Sequence, residues 1–135
     1  ARQLTGESNV VRAGRRLLDL GPKTIVIKKG EHGAALFASG GTFAVPAVPL
    51  EHVVDPTGAG DSFAGGLIGS LAVGGDLGDA ALRRAIACGS VLASFTVQDF
   101  GIGRLQTVTK QELAARYEEL RHLTHFDAAA PFATD

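Results

Sequence analysis

The chain has 135 residues, 45% hydrophobic and 20% charged, which is enough apolar material for one globular domain with its own core. A formal net charge of -1 provides no broad positive field, which argues against a nucleic-acid backbone or an anionic membrane as partner. The single cysteine, Cys88, excludes a disulfide framework within the chain and fits a reducing cytoplasm; its neighbours Ala85, Ile86 and Ala87 predict a small buried thiol.

From Glu7 to Leu20, Val10, Val11, Ala13, Leu17 and Leu18 recur at helical spacing, with Arg12, Arg15, Arg16 and Asp19 opposite. That pattern predicts an amphipathic helix, ended by Gly21-Pro22. Thr24 to Lys28 is a β-branched run expected to form a buried strand, followed by a turn at Gly30-Glu31-His32-Gly33. Ala34 to Ala38 and Thr42 to Val45, joined across Ser39-Gly40-Gly41, predict a hairpin. Pro46 and Pro49 bracket a loop leading through an extended piece, His52-Val53-Val54, into Asp55-Pro56-Thr57-Gly58-Ala59-Gly60-Asp61. A helix from Ser62 to Val73, a break at Gly74-Gly75 and a second helix from Asp79 to Ser94 follow. Thr109 and Glu112 have capping-box spacing ahead of an amphipathic stretch, Leu113 to Leu123, and Phe126 to Asp135 is expected to be disordered. The uncharged run Ser62 to Gly75 is too short and too rich in glycine to span a bilayer. No basic-then-apolar leader marks the chain for export, and a start at Ala1 without any methionine predicts a fragment of a longer protein.

A strand feeding a glycine-rich turn that opens a helix is a device for holding an anion. Gly58 and Gly60 let successive backbone N–H groups point into one concavity, and the first amides of a helix have no internal partner. The helix dipole adds partial positive charge at the same place, so a phosphate is the natural occupant. Asp61 is the anomaly, because a carboxylate repels the ligand the turn attracts. It reads either as the N-cap of the following helix or as a general base facing an acceptor hydroxyl; the two roles are compatible.

The run Val54-Asp55-Pro56-Thr57-Gly58-Ala59-Gly60-Asp61-Ser62-Phe63-Ala64-Gly65-Gly66 closely resembles the second signature of the PfkB carbohydrate kinase family. The resemblance implies the carboxy-terminal portion of a ribokinase-like three-layer α/β/α sandwich, with residues 1–135 forming the nucleotide-binding and catalytic part. It also implies Asp61 as base and the backbone of Gly58, Ala59 and Gly60, with Asp61 itself, as anion hole, with ATP and Mg²⁺ as cofactors and a sugar, sugar phosphate or nucleoside as acceptor. Asp55 and Thr57 match positions that hold a monovalent cation, typically K⁺, behind the anion hole. Ile27 to Gly33 resembles the family's strand and turn beside the nucleotide. There Gly30 and Gly33 let the backbone approach ATP, Glu31 lies between them, and Lys28, where many members have threonine, reaches a phosphate; the alternative for Lys28 and Lys29 is a solvated strand end. The helix Ala85 to Ser94, including Ser90, and the loop Phe95 to Phe100 resemble the wall of the adenine pocket, although Thr96-Val97-Gln98-Asp99-Phe100 departs from the ribokinase-like Gly-Ala version.

The family's Asn-x-x-Glu motif, linked to magnesium, is not matched by Asn9-Val10-Val11-Arg12, and the amino-terminal sugar-binding sheet and lid are missing. A second reading is therefore a non-catalytic nucleotide-binding fragment that self-associates into a homo-oligomer, since truncating a parallel sheet exposes apolar surface. Other matches fail. Gly60-Asp61-Ser62-Phe63 imitates a Gly-Asp-Ser esterase block, but no Asp here is followed by His at the required spacing. Gly21-Pro22-Lys23-Thr24 lacks the first glycine of a Walker A loop, and Phe63 replaces the third glycine of a dinucleotide fingerprint. His122 and His125 have ligand-like spacing without a third ligand nearby, and read as the end of a surface helix.

Overall fold

The computed structural model of the chain describes residues 1–127. The expectation of disorder from Phe126 onward falls almost wholly on residues 128–135, outside the described residues; Phe126 itself is exposed.

Two helices open the chain, α1 (Arg2–Thr5) and α2 (Val10–Asp19). The second begins three residues later than its periodicity predicts, because the Asn9 carboxamide accepts from the amides of Val11 and Arg12, both at 3.0 Å, and so fixes the first turn. Glu7 stays outside the helix and pairs with Arg16 at 3.1 Å and Arg12 at 3.6 Å. Three strands follow, β1 (Thr24–Lys28), β2 (Ala34–Ala38) and β3 (Gly41–Val45), with a 3₁₀ turn at Gly30–His32 between the first two. They form an antiparallel meander, β1-β2-β3, in which Ile27 faces Ala35 and Leu36 faces Phe43. The parallel arrangement expected of a truncated sheet is thus not what these strands adopt: connections as short as these permit only antiparallel neighbours.

The central strand is buried on both faces. Phe37 turns toward α2, where a Cβ on Gly14 would lie 2.6 Å from its ring, so only glycine permits that helix to approach so closely. Leu36 turns the other way and joins the main core with Phe63, Ile86, Phe95 and Leu120. That core lies beneath α4 (Asp79–Thr96), which packs on β2 and β3, with α3 (Ala59–Gly74) and α6 (Lys110–Leu123) against it in turn. The result is a three-layer α/β/α arrangement. The helices α3 and α4 cross through two glycines. A Cβ on Gly66 would lie 2.7 Å from Leu92 Cδ1, and one on Gly89 would lie 2.7 Å from the Phe63 carbonyl.

Several expectations need correction. β1 is half-buried rather than buried: it pairs with β2 alone among the described residues, and an apolar groove lined by Leu4, Leu17, Leu20, Ile25 and Ile27 runs beside it. Cys88 is half-buried in α4, and its carbonyl lies close to Gly66 of α3. The short helix α5 (Gly103–Thr107), like α1, is too brief to leave a periodic signal in sequence. The capping box at α6 forms as its spacing predicts, with Glu112 N donating to Thr109 Oγ1 at 3.2 Å and Thr109 N to Glu112 Oε2 at 2.8 Å. No helix among the described residues is long and apolar enough to cross a membrane.

Candidate functional site

The turn ahead of α3 is built from its own residues. Asp55 Oδ1 accepts from Thr57 N at 2.9 Å, closing a small loop. Gly58 then takes a left-handed conformation, φ 81°, which only glycine adopts without cost. Helix α3 begins at Ala59, three residues before the position expected from sequence. Gly58 is consequently the N-cap, and Asp61 makes no capping hydrogen bond: its cap reading is overturned, because the helix has already started when the chain reaches it. Asp61 lies in the first turn of the helix, exposed to solvent. Of the amides in question, Ala59 N donates to Pro56 O at 3.2 Å and Asp61 N to Gly58 O at 3.1 Å. Gly58 N and Gly60 N donate to no protein acceptor among the described residues.

Lys28 comes to the same place from the end of β1. Its Nζ donates to the Gly60 carbonyl at 2.9 Å, so a side chain that sequence leaves open as a solvated strand end is tethered to the turn across 32 residues of chain. The sheet supplies the second half of the site in this way. Gly30 has φ 58° and open space where a Cβ would point, as a backbone that admits a ligand requires. Gly33 does not serve that purpose: a Cβ there would lie 2.1 Å from the Val45 carbonyl, so this glycine exists to let the chain leaving β3 pass. Glu31 is exposed, 3.6 Å from His32. Ser90 is buried within α4, about 9 Å along the helix axis from Thr96, whose Cγ2 lies 3.8 Å from where a Cβ on Gly58 would stand.

A strap ties the loop in front of the turn to α4. The extended piece His52-Val53-Val54 forms no strand; instead Val54 N and Asp55 N both donate to the Val97 carbonyl, at 2.7 and 3.3 Å. The Asp55 carboxyl is held below its ordinary range, first by the Thr57 amide and then by the Thr57 hydroxyl.

Residues 1–108 match the family model described as pfkB family carbohydrate kinase. The chain belongs to the pfkB family. Among curated pfkB relatives, the aminoimidazole riboside kinase of Salmonella typhimurium is 43% identical over 93 residues, covering 66% of this chain and 29% of that protein. The crystal structure of aminoimidazole riboside kinase from Salmonella enterica, complexed with aminoimidazole riboside and an ATP analog, superposes with a TM-score of 0.75 at 35% identity, over 86% of this chain and 38% of that one. Ribokinase from Thermotoga maritima gives 0.68 at 25% identity, over 87% and 37%. The fold is therefore the ribokinase-like one, and the chain spans about a third of the length of the pfkB proteins it matches.

Two features of this pfkB site are invisible to motif reading. The Lys28 tether joins elements far apart in sequence, and while the family resemblance puts Lys28 near a phosphate, nothing in the residues predicts its bond to the Gly60 carbonyl. The Val97 strap is made by main-chain atoms, which leave no residue-type signature.

Proposed function

We propose that residues 1–135 form the nucleotide-binding and catalytic part of an ATP-dependent kinase whose acceptor is a hydroxyl of a sugar, sugar phosphate or nucleoside. Asp61 takes the proton of that hydroxyl as its oxygen attacks the γ-phosphate, while the free amides of Gly58 and Gly60 and the ammonium of Lys28 stabilise the charge on the moving group. The observation that carries this reading is the exposed Asp61 carboxylate in the first turn of α3, beside two unpartnered amides and a lysine held 2.9 Å from the same turn. The relatives support the reaction class, since pfkB proteins similar to this chain include an aminoimidazole riboside kinase, a cytidine kinase, an inositol 3-kinase and a 2-dehydro-3-deoxygluconokinase.

The amides and the lysine fit a phosphate chain. Magnesium would come with the nucleotide and offset its charge, held mainly by phosphate oxygens and water. Asp55 and Thr57 offer oxygen donors suited to a potassium ion. Only one Asp55 oxygen is engaged by Thr57 N, and such an ion would add positive charge behind the turn.

The test is Asp61→Asn in the full-length kinase, assayed for phosphoryl transfer against a panel of sugars and nucleosides. Turnover should fall by about 100-fold or more, the usual share of a general base. Turnover close to wild type would remove Asp61 from the chemistry.

A second reading has its own support. The groove beside the unpaired edge of β1, with Leu4 and Leu20 exposed at its rim, favours association of this chain with a second copy when nothing else covers it.

A further inference from the structure

The last turn of α4 carries a second polar assembly. Two guanidinium groups lie over the Phe95 ring, that of Arg116 at 4.0 Å from its centroid and that of Arg104 at 5.1 Å. Arg116 Nη1 also donates to Ser94 Oγ at 3.1 Å and to Gln98 Oε1 at 3.3 Å, and its side chain is only 18% exposed. Arg104 is fixed in turn by Glu112, the carboxylate of the α6 capping box. One arginine from α6 therefore grips residues 94, 95 and 98, which flank Val97 on both sides. Val97 is the residue whose carbonyl receives Val54 N and Asp55 N, and Asp55 closes the loop onto Thr57, next to Gly58. Thr96, fully buried in the same turn, approaches Gly58 itself, with Cγ2 3.8 Å from where a Cβ would stand.

We propose that Arg116 is a positioning residue for the glycine turn: it touches no ligand, but fixes the Val97 carbonyl from which the 52–58 loop hangs. The inference rests on the reading of that turn as a phosphate site. Its physical basis is that an unclamped helix end frays, whereas a partly buried guanidinium with two hydrogen bonds and an aromatic face holds one geometry. Ion pairing contributes little, because the nearest carboxylate, Glu119, lies 3.9 Å away and is half exposed.

The test is amide hydrogen exchange on the 135-residue chain, wild type against Arg116→Ala, Arg116→Lys and Gln98→Ala. In Arg116→Ala, the Val54 and Asp55 amides should exchange about tenfold faster or more, as expected when a hydrogen bond to a charged group is lost, while Leu36 and Phe37 in β2 keep their rates. Arg116→Lys retains a cation over Phe95 and should recover part of the protection. Gln98→Ala should give a smaller change confined to the same two amides, and serves if Arg116→Ala fails to fold. Unchanged rates at Val54 and Asp55, or a rise shared equally by β2, overturns the proposal. A parallel titration of each protein with Mg·ATP separates the two readings. Absence of binding by the wild-type chain tells against the phosphate site, whereas the exchange pattern alone decides the role of Arg116.

Discussion

Replacing Gly60 by alanine separates the stability of the turn from its ability to hold an anion. Gly60 is the second residue of α3 and has no left-handed backbone, so alanine is compatible with the helix and should stabilise it by about 0.5–1 kcal/mol. The added Cβ would stand 2.9 Å from Lys28 Nζ, and the flexible lysine must swing away, losing its contact with the Gly60 carbonyl. That exposed hydrogen bond contributes about 1 kcal/mol, so the two effects nearly cancel and the melting temperature should move by only a few degrees. Phosphate binding should not be so protected. Displacing an ammonium from a charge-assisted contact with a phosphate oxygen costs about 1.5–3 kcal/mol, or about 10- to 150-fold in affinity. Circular-dichroism melting together with calorimetric titration of Mg·ATP would read both quantities. Lys28→Met is the companion variant, since it removes the charge without adding a Cβ and should weaken binding similarly. Unchanged affinity in both variants at unchanged melting temperature would refute the placement of Lys28 and Gly60 in the phosphate site.

Glu112 is held down to about 2 from its ordinary 4.5, mainly by the Thr109 amide, then by the Thr109 hydroxyl and Arg104. A depressed carboxyl stabilises the fold above its unfolded value and loses that contribution as pH falls through its folded one. Stability measured by urea unfolding should therefore decline between about pH 5 and pH 2, and Glu112→Gln should flatten that decline while lowering stability at neutral pH. If the edge of β1 associates with a second copy, sedimentation of the isolated chain should show a mass that rises with concentration, and Ile25→Lys beside the groove should return it to monomer; a concentration-independent monomer excludes that reading.

Most of the fold is legible in the residues. The run Thr24 to Lys28, the hairpin glycines and the Thr109–Glu112 pair specify their elements by local chemistry, and each forms within a residue or two of its expected bounds. The start of α3 is different. Glycine and alanine at positions 58–60 read as loop, yet the left-handed Gly58 followed by packing of α3 on α4 draws the helix three residues forward. That shift moves Asp61 from a cap into the first turn, and no local propensity encodes it. The half-burial of β1 is likewise a matter of what lies beside a strand rather than of the strand itself. Within the candidate site, the family resemblance points to the glycine turn, its carboxylate and Lys28, while the Lys28 bond to Gly60, the Val97 strap and the place of Arg116 depend on tertiary contacts that no motif encodes.

The glycine-to-helix contacts at Gly66 and Gly89 carry a consequence for the other end of α3. With no side chain between them, the two helices meet backbone to backbone, and a Cβ at either glycine would collide with Leu92 or Phe63 and push the amino terminus of α3 out of place. Its amino terminus is thereby aimed before any anion arrives. If the turn holds a phosphoryl group as proposed, the dipoles of α3 are already oriented when the chain has folded, and the field that group meets is preset.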